Sequence, residues 1–453
     1  MKKDGLKREW LPARTIALSF FLVICAGTLL LWLPISAKEN VKTSFIDAFF
    51  TATSATCVTG LVTVDTATHW SLFGQIVILL LIQIGGLGLV TLVSFFNVMI
   101  KKRIGLRSMQ LAGESISTTD FKDVYSLLKF IVRFSLAIEG VGALFLMLTL
   151  VPKYGLRGIF FSLFLSVSSF CNAGFDPFGF EEHFCSLVGF YQSPLLLFTI
   201  AGLIIIGGMG FGVWSNVLSY KRSHHLSLHT RLVIFSTVAL IFGGGLFIMI
   251  LEWHNPETLG YMTTGEKVAN SLFLSVSSRT AGFNSFDLNA MTAPGKLFVC
   301  LLMFIGAAPG STGGGIKITT MVVLASTVWC ALRGLGEVYI LSHQIKKNIV
   351  YKSLAICALA ALVCIVASIG AGFDIGDAES HWGINTFFEA VSAFGTVGLS
   401  VGVTGEASLI GKIALILTMY IGRVGPVSFA LALASAPRPS KAIIMPEGKI
   451  MVG

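Results

Sequence analysis

The segment Thr53-Ser-Ala-Thr-Cys-Val-Thr-Gly60 recurs in varied form three more times along this chain. The other copies are Val167-Ser-Ser-Phe-Cys-Asn-Ala-Gly174, Val276-Ser-Ser-Arg-Thr-Ala-Gly282 and Val391-Ser-Ala-Phe-Gly-Thr-Val-Gly398. Each copy ends a moderately apolar stretch, and its last glycine is followed by Leu or Phe. We call residues 57–60, 171–174, 279–282 and 395–398, which end the copies, the glycine-ended loops. Self-similarity of this kind indicates a repeat architecture.

The spacing of the copies supports a true repeat. The terminal glycines at 60, 174, 282 and 398 are 114, 108 and 116 residues apart. Each is followed by an Ile-Gly pair, whose glycine at 85, 207, 306 or 422 comes 25, 33, 24 or 24 residues later. The extra polar turn at 176–182 accounts for the longer second interval. Agreement in motif, order and spacing predicts four tandem units.

The composition is typical of a membrane protein. Of the 453 residues, 54% are hydrophobic and 12% charged, with a mean hydropathy of +0.83, whereas a soluble protein has about 25% charged residues. A membrane-spanning helix needs about 20 apolar residues. First helices of the four units are predicted at 16–33, 127–151, 232–251 and 353–372, and second helices at 72–100, 194–220, 295–332 and 409–434. We therefore predict an all-α polytopic membrane protein with four tandem helix–pore-loop–helix repeats. It has eight transmembrane helices and four re-entrant pore helices around a central pore with pseudo-fourfold symmetry.

The predicted repeats divide the chain at its basic segments. Repeat 1 with an N-terminal arm covers 1–105, repeat 2 covers 106–222, repeat 3 covers 223–335, and repeat 4 with a C-terminal tail covers 336–453. Basic residues cluster at the N-terminus, at 101–107, 221–231 and 333–347, and at 438–441, whereas the opposite loops are richer in acids. Cytoplasmic loops carry the excess of Lys and Arg. Both termini are therefore expected in the cytoplasm, and the apolar run 16–33 exceeds that of a cleaved signal peptide.

Several other functional classes are disfavoured. The net charge of +9 is explained by this topology and by contact with membrane lipid, so no nucleic-acid partner is expected. The eight cysteines contain no C-x-x-C pair, and Cys57 and Cys171 are interpreted as small packing residues. Titratable residues do not cluster within the predicted spans, so we expect no enzyme, no catalytic residue and no covalently bound cofactor.

The glycine-ended loops predict an ion pathway. Irregular backbone at membrane depth occurs only where it is buried in protein or lines a water-filled cavity, and rings of carbonyls can replace the hydration shell of a cation. The alternative is that these glycines only allow close helix packing, but four copies in register favour the pathway. The predicted filter residues are Cys57, Val58, Thr59, Gly60, Cys171, Asn172, Ala173, Gly174, Arg279, Thr280, Ala281, Gly282, Gly395, Thr396, Val397 and Gly398.

The third repeat contains a predicted gate. One proline and five glycines between 306 and 315 interrupt its second helix, because proline costs about 3 kcal/mol and glycine about 1 kcal/mol in a helix interior. A phosphate-binding loop is disfavoured since Ile316 stands where that motif needs Lys, and a plain kinked helix is the other alternative. The predicted gate residues are Gly306, Ala307, Ala308, Pro309, Gly310, Ser311, Thr312, Gly313, Gly314, Gly315, Lys317 and Arg423.

Charged residues near these motifs have competing interpretations. Arg423 lies inside an apolar helix and either projects toward the gating loop or forms a salt bridge with Glu139 or Glu389. Such buried charges usually mark a pathway or an ion pair. Arg279 is expected behind its loop, bracing carbonyls or a carboxylate such as Glu389, and Lys317 closes the gating loop, facing the cytoplasm. Asp65 and Asp176 either concentrate cations at the mouth or are ordinary solvated loop residues.

The motifs resemble the Trk/Ktr/HKT superfamily of potassium transporters over nearly the whole chain. The matching segments, in family order, are Cys57-Val-Thr-Gly60, Asn172-Ala-Gly-Phe175, Arg279-Thr-Ala-Gly-Phe-Asn284 and Phe394-Gly-Thr-Val-Gly398. Trk-type subunits of this superfamily usually carry two additional N-terminal helices, whereas the first span of this sequence begins about fifteen residues in. The chain therefore resembles the Ktr membrane subunit most.

The resemblance implies potassium uptake across a bacterial plasma membrane, sodium-stimulated in some members. It implies a homodimer resting on a cytosolic ring of nucleotide-binding subunits that bind ATP or ADP and control the loop at 306–317. The transported K⁺ would bind the backbone carbonyls of Val58, Thr59, Asn172, Ala173, Thr280, Ala281, Thr396 and Val397. Members with Ser at the position of Gly60 tend to favour sodium, so Gly60 favours potassium.

Two alternatives stay open from the sequence. One is a sodium or non-selective monovalent cation permease. The other is a secondary transporter, a class that also uses broken helices. The parallel sense of the four repeats favours radial symmetry around a pore.

Overall fold

The computed structural model describes residues 12–38, 41–88, 124–181, 183–373 and 383–433. These residues form helices and one small hairpin. In chain order the elements are α1 (Pro12–Trp32), α2 (Phe45–Cys57), α3 (Leu72–Leu87), α4 (Val124–Tyr154), α5 (Arg157–Phe170), α6 (Pro194–Gly208), α7 (Phe211–Ser223), α8 (Leu228–Glu252), α9 (Thr264–Ser277), α10 (Ala293–Phe304), α11 (Ile318–Leu332), β1 (Val338–Ile340), β2 (His343–Ile345), α12 (Lys347–Ala371), α13 (Ile384–Gly395), α14 (Val403–Glu406), α15 (Leu409–Val424) and α16 (Pro426–Leu433).

Four long helices, α1, α4, α8 and α12, are apolar and long enough to cross a membrane. Among the described residues no other single helix meets both conditions, and the bent pair α6–α7 would make a fifth span. The four long helices correspond to the predicted first helices at 16–33, 127–151, 232–251 and 353–372. Their lipid-facing sides expose large apolar side chains such as Leu144, Phe235 and Ile369, as expected where hydrocarbon replaces water.

Each long helix is followed by a short helix with many buried Ala, Ser and Thr side chains: α2, α5, α9 and α13. Local capping starts two of them. The Ser44 hydroxyl accepts a hydrogen bond from the Asp47 N–H at the start of α2, and Thr263 and Glu266 form a capping box at the start of α9. Such caps satisfy N–H groups that a helix leaves unpaired. The short helices lie inside the protein, and each ends at a glycine-ended loop.

The predicted continuity of the second helices at 194–220 and 409–434 is wrong. Helix α6 meets α7 at an angle of 93°, and Gly210 between them has φ 91°. Helix α15 is likewise separated from α16 by Gly425, also at φ 91°, and α3 ends before Gly88 at φ 81°. These are left-handed conformations that an α-helix cannot contain and that glycine tolerates best. Residues 89–100 of the predicted first-repeat helix lie outside the described residues.

The third repeat has the longest interruption, between Phe304 and Ile318. Its base is closed by a parallel bridge between Ile305 and Ile316, and the Gly306 N–H donates to the Ile316 carbonyl at 2.8 Å. The intervening loop returns to its starting point before α11 begins. It is therefore an ordered loop between two helices, and the plain kinked helix considered from the sequence does not describe it.

The Ile-Gly pairs place the second helices directly against the short helices. A Cβ atom added to Gly85, Gly207 or Gly422 would lie 2.1, 1.9 or 2.0 Å from the carbonyl oxygen of Thr56, Phe170 or Phe394, respectively. No side chain fits at that distance. Repetition of the Ile-Gly pair is thus explained by the same backbone approach in three units.

Replacing Gly207 by Ala should destabilise the protein, because the added methyl group would overlap the Phe170 carbonyl oxygen. Overpacking of this kind costs about 1–3 kcal/mol. The matched control is Gly202→Ala on the same helix, where an added Cβ meets nothing within 4 Å and helix propensity gains up to about 1 kcal/mol. The measurement is the thermal unfolding midpoint of detergent-solubilised protein. Equal midpoints for the two variants would contradict this packing.

The fourth unit contacts the first unit. Lys412 on α15 forms a salt bridge of 2.8 Å with Asp47 on α2, which ties the fourth unit to the first. All eight cysteines lie in the described residues, and none of them forms a disulfide there. The predicted basic segments at 1–11, 101–107 and 438–441 and the acidic loop at 374–379 are among the residues that are not described.

Candidate ion pathway

All four glycine-ended loops have the same unusual backbone. Val58, Asn172, Thr280 and Thr396 have φ of 58°, 61°, 78° and 49°. Two residues later Gly60, Gly174, Gly282 and Gly398 have φ of 94°, 70°, 84° and 93°. Left-handed conformations cost a non-glycine residue about 1–2 kcal/mol. Such residues persist where the surroundings hold them, and they cluster at functional sites.

One serine near the start of each copy, Ser54, Ser168, Ser277 or Ser392, holds the following loop through hydrogen bonds. In units 1 and 4, the Gly60 N–H donates to the Ser54 hydroxyl and the Gly398 N–H to the Ser392 hydroxyl, both at 3.1 Å. In units 2 and 3, the hydroxyls of Ser168 and Ser277 instead donate to the carbonyls of Phe175 and Phe283, the residues just after the glycines. The backbone carbonyls of all four serines also accept N–H groups from their loops. Sequence reasoning missed these serines, although their presence in all four copies was a usable signal.

The loop carbonyls are left without donors. Among the hydrogen bonds between described residues, none is accepted by the backbone oxygens of the eight predicted ion-binding residues at 58, 59, 172, 173, 280, 281, 396 and 397. More than 90% of buried backbone groups in proteins are paired. Eight unpaired carbonyls in buried residues therefore indicate a binding site for a ligand that carbonyl oxygens can coordinate, such as a cation.

The four loops form a closed ring. A Cβ atom added to Gly60 would lie 2.5 Å from the Ala173 carbonyl oxygen, and one on Gly174 would lie 2.7 Å from that of Ala281. A Cβ atom added to Gly282 would lie 2.3 Å from the Val397 carbonyl oxygen. One added to Gly398 would lie 2.1 Å from the Thr59 carbonyl oxygen. Each loop touches the next in chain order, and the fourth touches the first.

A cavity of about 540 Å³ opens onto this ring, with all four terminal glycines in its lining. Its acidic residues include one from each unit, Asp65, Asp176, Asp287 and Glu406, and none of its described lining residues is basic. Asp287 and Glu406 were missed from the sequence. For Asp287 a signal existed, because it follows Gly282 by five residues as Asp65 follows Gly60. Acidic walls of this kind raise the local concentration of cations.

On the side of the ring away from this cavity, the side chains of two left-handed residues, Thr280 and Thr396, contact the loop at 305–317. The Gly314 N–H donates to the Thr396 hydroxyl at 3.1 Å, and a Cβ atom on Gly313 would lie 2.3 Å from the Thr280 hydroxyl oxygen. The Thr280 hydroxyl in turn lies 3.1 Å from the Asn172 side-chain amide. The loop therefore packs directly against the inner end of the ring.

Backbone hydrogen bonds fasten the loop to the second unit. The N–H groups of Ala308 and Thr312 donate to the carbonyls of Gly208 and Gly207 at 3.0 and 3.3 Å. The Phe211 N–H donates back to the Gly310 carbonyl at 2.9 Å. The break in the second helix at Gly210 supplies these groups, since a continuous helix would use the carbonyls and the N–H itself.

Two basic side chains bind three consecutive carbonyls of the loop. Arg423 donates to the Thr312 carbonyl and, with its other terminal nitrogen, to the Gly85 carbonyl on α3. The Lys317 ammonium donates to the carbonyls of Gly313 and Gly314 at 2.7 and 3.3 Å. Arg423 thus projects toward the loop, one of the two interpretations considered. Lys317 does not extend to the cytoplasm as expected, because its ammonium turns back onto the loop that precedes it.

The proposed carboxylate partners of Arg279 and Arg423 are wrong. Glu389 is buried and accepts hydrogen bonds from the Ser400 hydroxyl, the Val401 N–H and the Thr404 hydroxyl at 2.6–3.0 Å. Glu139 accepts from the Gln83 amide at 3.0 Å. Satisfied carboxylates of this kind anchor loops, and neither forms an ion pair with Arg279 or Arg423 among the described residues.

Arg279 lies behind its loop, as expected, but its Nε has no hydrogen-bond partner among the described residues. The side chain is 9% exposed and lines a small cavity of about 20 Å³ together with Gly306, Ala307 and Ala308. Such a volume holds about one water molecule. Arg279 therefore lies off the ring, between the third loop and the loop at 305–317.

Known proteins are similar to this chain in sequence and in fold. A family profile described as TrkH, cation transport protein, matches residues 12–443. The chain is 41% identical over 456 residues to the Ktr system potassium uptake protein B of Bacillus subtilis, with 100% of both chains covered. It is 37% identical over 453 residues to the potassium/sodium uptake protein NtpJ of Enterococcus hirae, covering 100% of this chain and 99% of that protein. The crystal structure of the potassium transporter TrkH from Vibrio parahaemolyticus aligns with a TM-score of 0.74 at 18% identity, over 96% of this chain and 87% of that chain. The resemblance drawn from the motifs is confirmed, and this chain belongs to the TrkH family of cation transport proteins.

Proposed function

We propose that this chain takes up potassium through the ring of glycine-ended loops, which acts as a selectivity filter. The observation that carries the proposal is the closed ring of carbonyls, which accept no hydrogen bond from any described residue, since carbonyl oxygens can replace the hydration shell of K⁺. The names of the relatives support potassium over other cations: one is a potassium uptake protein. A sodium or mixed permease is the second candidate, because the other relative is a potassium/sodium uptake protein.

The proposed architecture is the four-repeat one. Each unit contributes a first helix, a re-entrant pore helix, a filter loop and a broken second helix, arranged with pseudo-fourfold symmetry around the pathway. The repeats are bounded at 1–105, 106–222, 223–335 and 336–453, with both termini in the cytoplasm of a bacterium. The contacts of each loop with the next in chain order support this arrangement.

The loop at 306–317, with Arg423, is the proposed gate. It lies against the inner end of the ring and is held by hydrogen bonds to Gly207, Gly208 and Thr396, so ions leaving the filter meet it first. We propose that a homodimer of this chain binds a cytosolic ring of nucleotide-binding subunits that moves the loop in response to ATP or ADP. The name of the relative, protein B of a Ktr system, supports a further component.

Complementation tests the proposal. A bacterium that lacks its own potassium uptake should grow at low potassium when it expresses this chain with a matching regulatory subunit. The Gly60→Ser variant should grow less well at low potassium and become sensitive to sodium. Absence of rescue by protein that is present in the membrane would contradict the potassium assignment.

Uptake should also depend on external pH through Asp176. Burial, with the repulsion of nearby Asp65, raises the pKa of Asp176 to about 7, although a hydrogen bond from the Phe178 N–H opposes the shift. The carboxyl group is neutral below that pKa and negative above it, so the mouth attracts cations more strongly as pH rises. The KM for potassium should fall severalfold between about pH 6 and pH 8. Asp176→Asn should hold KM at its acidic value, and an unchanged pH profile in this variant would contradict the role.

A further inference from the structure

We propose that the carbonyls of Gly313 and Gly314 form a cation-binding site below the filter and that the Lys317 ammonium occupies this site while the pathway is closed. The inference rests on the proposed function and deepens it. It assigns a ligand, a monovalent cation, to the gating loop, which is also proposed to block the flow of ions.

The geometry of Lys317 is the first argument. Its ammonium donates to two successive carbonyls at 2.7 and 3.3 Å, and its backbone lies at the start of α11. A lysine at a helix end normally extends its charge toward water. Here the side chain instead folds back four residues, so the strongly hydrated ammonium has exchanged water for backbone oxygens.

The location of the two carbonyl groups is the second argument. Gly313 and Gly314 each pack against a filter side chain, with an added Cβ only 2.3 Å from the hydroxyl oxygen of Thr280 or Thr396. The residues that bind the ammonium are thus in contact with the innermost residues of the filter. In the proposed pathway, the loop that carries these two oxygens is what a potassium ion meets next after the filter.

The chemistry of the two cations is the third argument. An ammonium group and a dehydrated potassium ion both carry one positive charge and are both stabilised by carbonyl oxygens. Arg423 binds the neighbouring Thr312 carbonyl with a planar, rigid guanidinium that also holds α3. Lysine is a point charge on a flexible stem, which can leave the carbonyls when the loop moves and so free them for the transported ion.

Chemical rescue distinguishes this site from a purely structural tether. Purified protein without its regulatory subunit is placed in liposomes, and basal potassium flux is measured for the wild type and Lys317→Ala. The variant should leak about tenfold more, because a repelling charge next to the pathway has been removed. Adding n-butylammonium to both faces should restore closure by supplying the missing ammonium group. Tetramethylammonium, with the same charge but no N–H donor, should not.

Three results would overturn the inference. They are basal flux in Lys317→Ala equal to that of the wild type, a leak that n-butylammonium does not reduce, and equal responses to the two ammonium ions. If Lys317→Ala does not yield monodisperse protein, Lys317→Met keeps the stem without the charge, and absence of a leak in that variant overturns it as well. The proposed function fails separately, if wild-type protein shows no potassium flux that the filter variant Gly398→Ala abolishes.

Discussion

Replacing Gly398 by Ala should abolish potassium uptake. The added methyl group would lie 2.1 Å from the Thr59 carbonyl oxygen, at a residue with φ 93°, and would break the ring where the fourth loop meets the first. The positive φ costs about 1–2 kcal/mol and overpacking a further 1–3 kcal/mol or so. We expect uptake by reconstituted protein to fall at least about a hundredfold, since each 1.4 kcal/mol or so is a factor of ten.

Gly402→Ala is the matched control for this variant. Gly402 has a nearly identical φ of 95°, but an added Cβ meets nothing within 4 Å. The two variants share a positive φ, and only Gly398→Ala overlaps the ring. Similar uptake by both would show that strain alone is responsible, and the ring of carbonyls would lose its role.

Replacing Arg423 by Ala should open the pathway without the regulatory subunit. The side chain joins the proposed gating loop at Thr312 to α3 at Gly85, and in the proposed pathway its charge lies close to the exit from the filter. Charges at membrane depth cost about 2.5–3.5 kcal/mol and are retained for function. Basal potassium flux through reconstituted protein should rise at least about tenfold when this barrier and this tether are lost.

Two further variants separate the tether from the charge. Arg423→Lys keeps the positive charge but cannot bridge two carbonyls with a planar fork, so it should leak less than Arg423→Ala and more than the wild type. Arg333→Ala removes an exposed arginine that stacks on Trp329 at the end of α11 and should leave flux unchanged. A closed Arg423→Ala protein would contradict the gate assignment.

Features set by local sequence were predictable. The left-handed glycines follow from their place at the end of a repeated motif, because only glycine adopts such φ at little cost. The interruption before Ile318 follows from the density of Pro and Gly, which no helix accommodates. The loops also follow one another around the ring in the order of the chain, and short connections between tandem units favour this arrangement.

Features set by long-range contacts were not predictable. Four glycines lie between 207 and 212, and nothing local shows that Gly207 packs against a neighbour whereas Gly210 breaks the helix. The break at Gly425 is different, because Pro426, which follows it, was a local signal that the sequence analysis missed. The partners of Glu389 lie 11 to 15 residues further along the chain, and nothing local favours Ser400 and Thr404 over a more distant arginine. The direction of the Lys317 side chain depends on the carbonyls of Gly313 and Gly314, which come into position only when the loop has folded.

Anomalous diffraction from crystals grown in rubidium tests the central claim most directly. Rubidium resembles potassium in charge and size and is located by its anomalous signal. We predict a peak on the axis of the ring, in contact with the carbonyl oxygens of Thr59, Ala173, Ala281 and Val397. Rubidium bound elsewhere in the protein while this ring stays empty at saturating concentration would contradict the account.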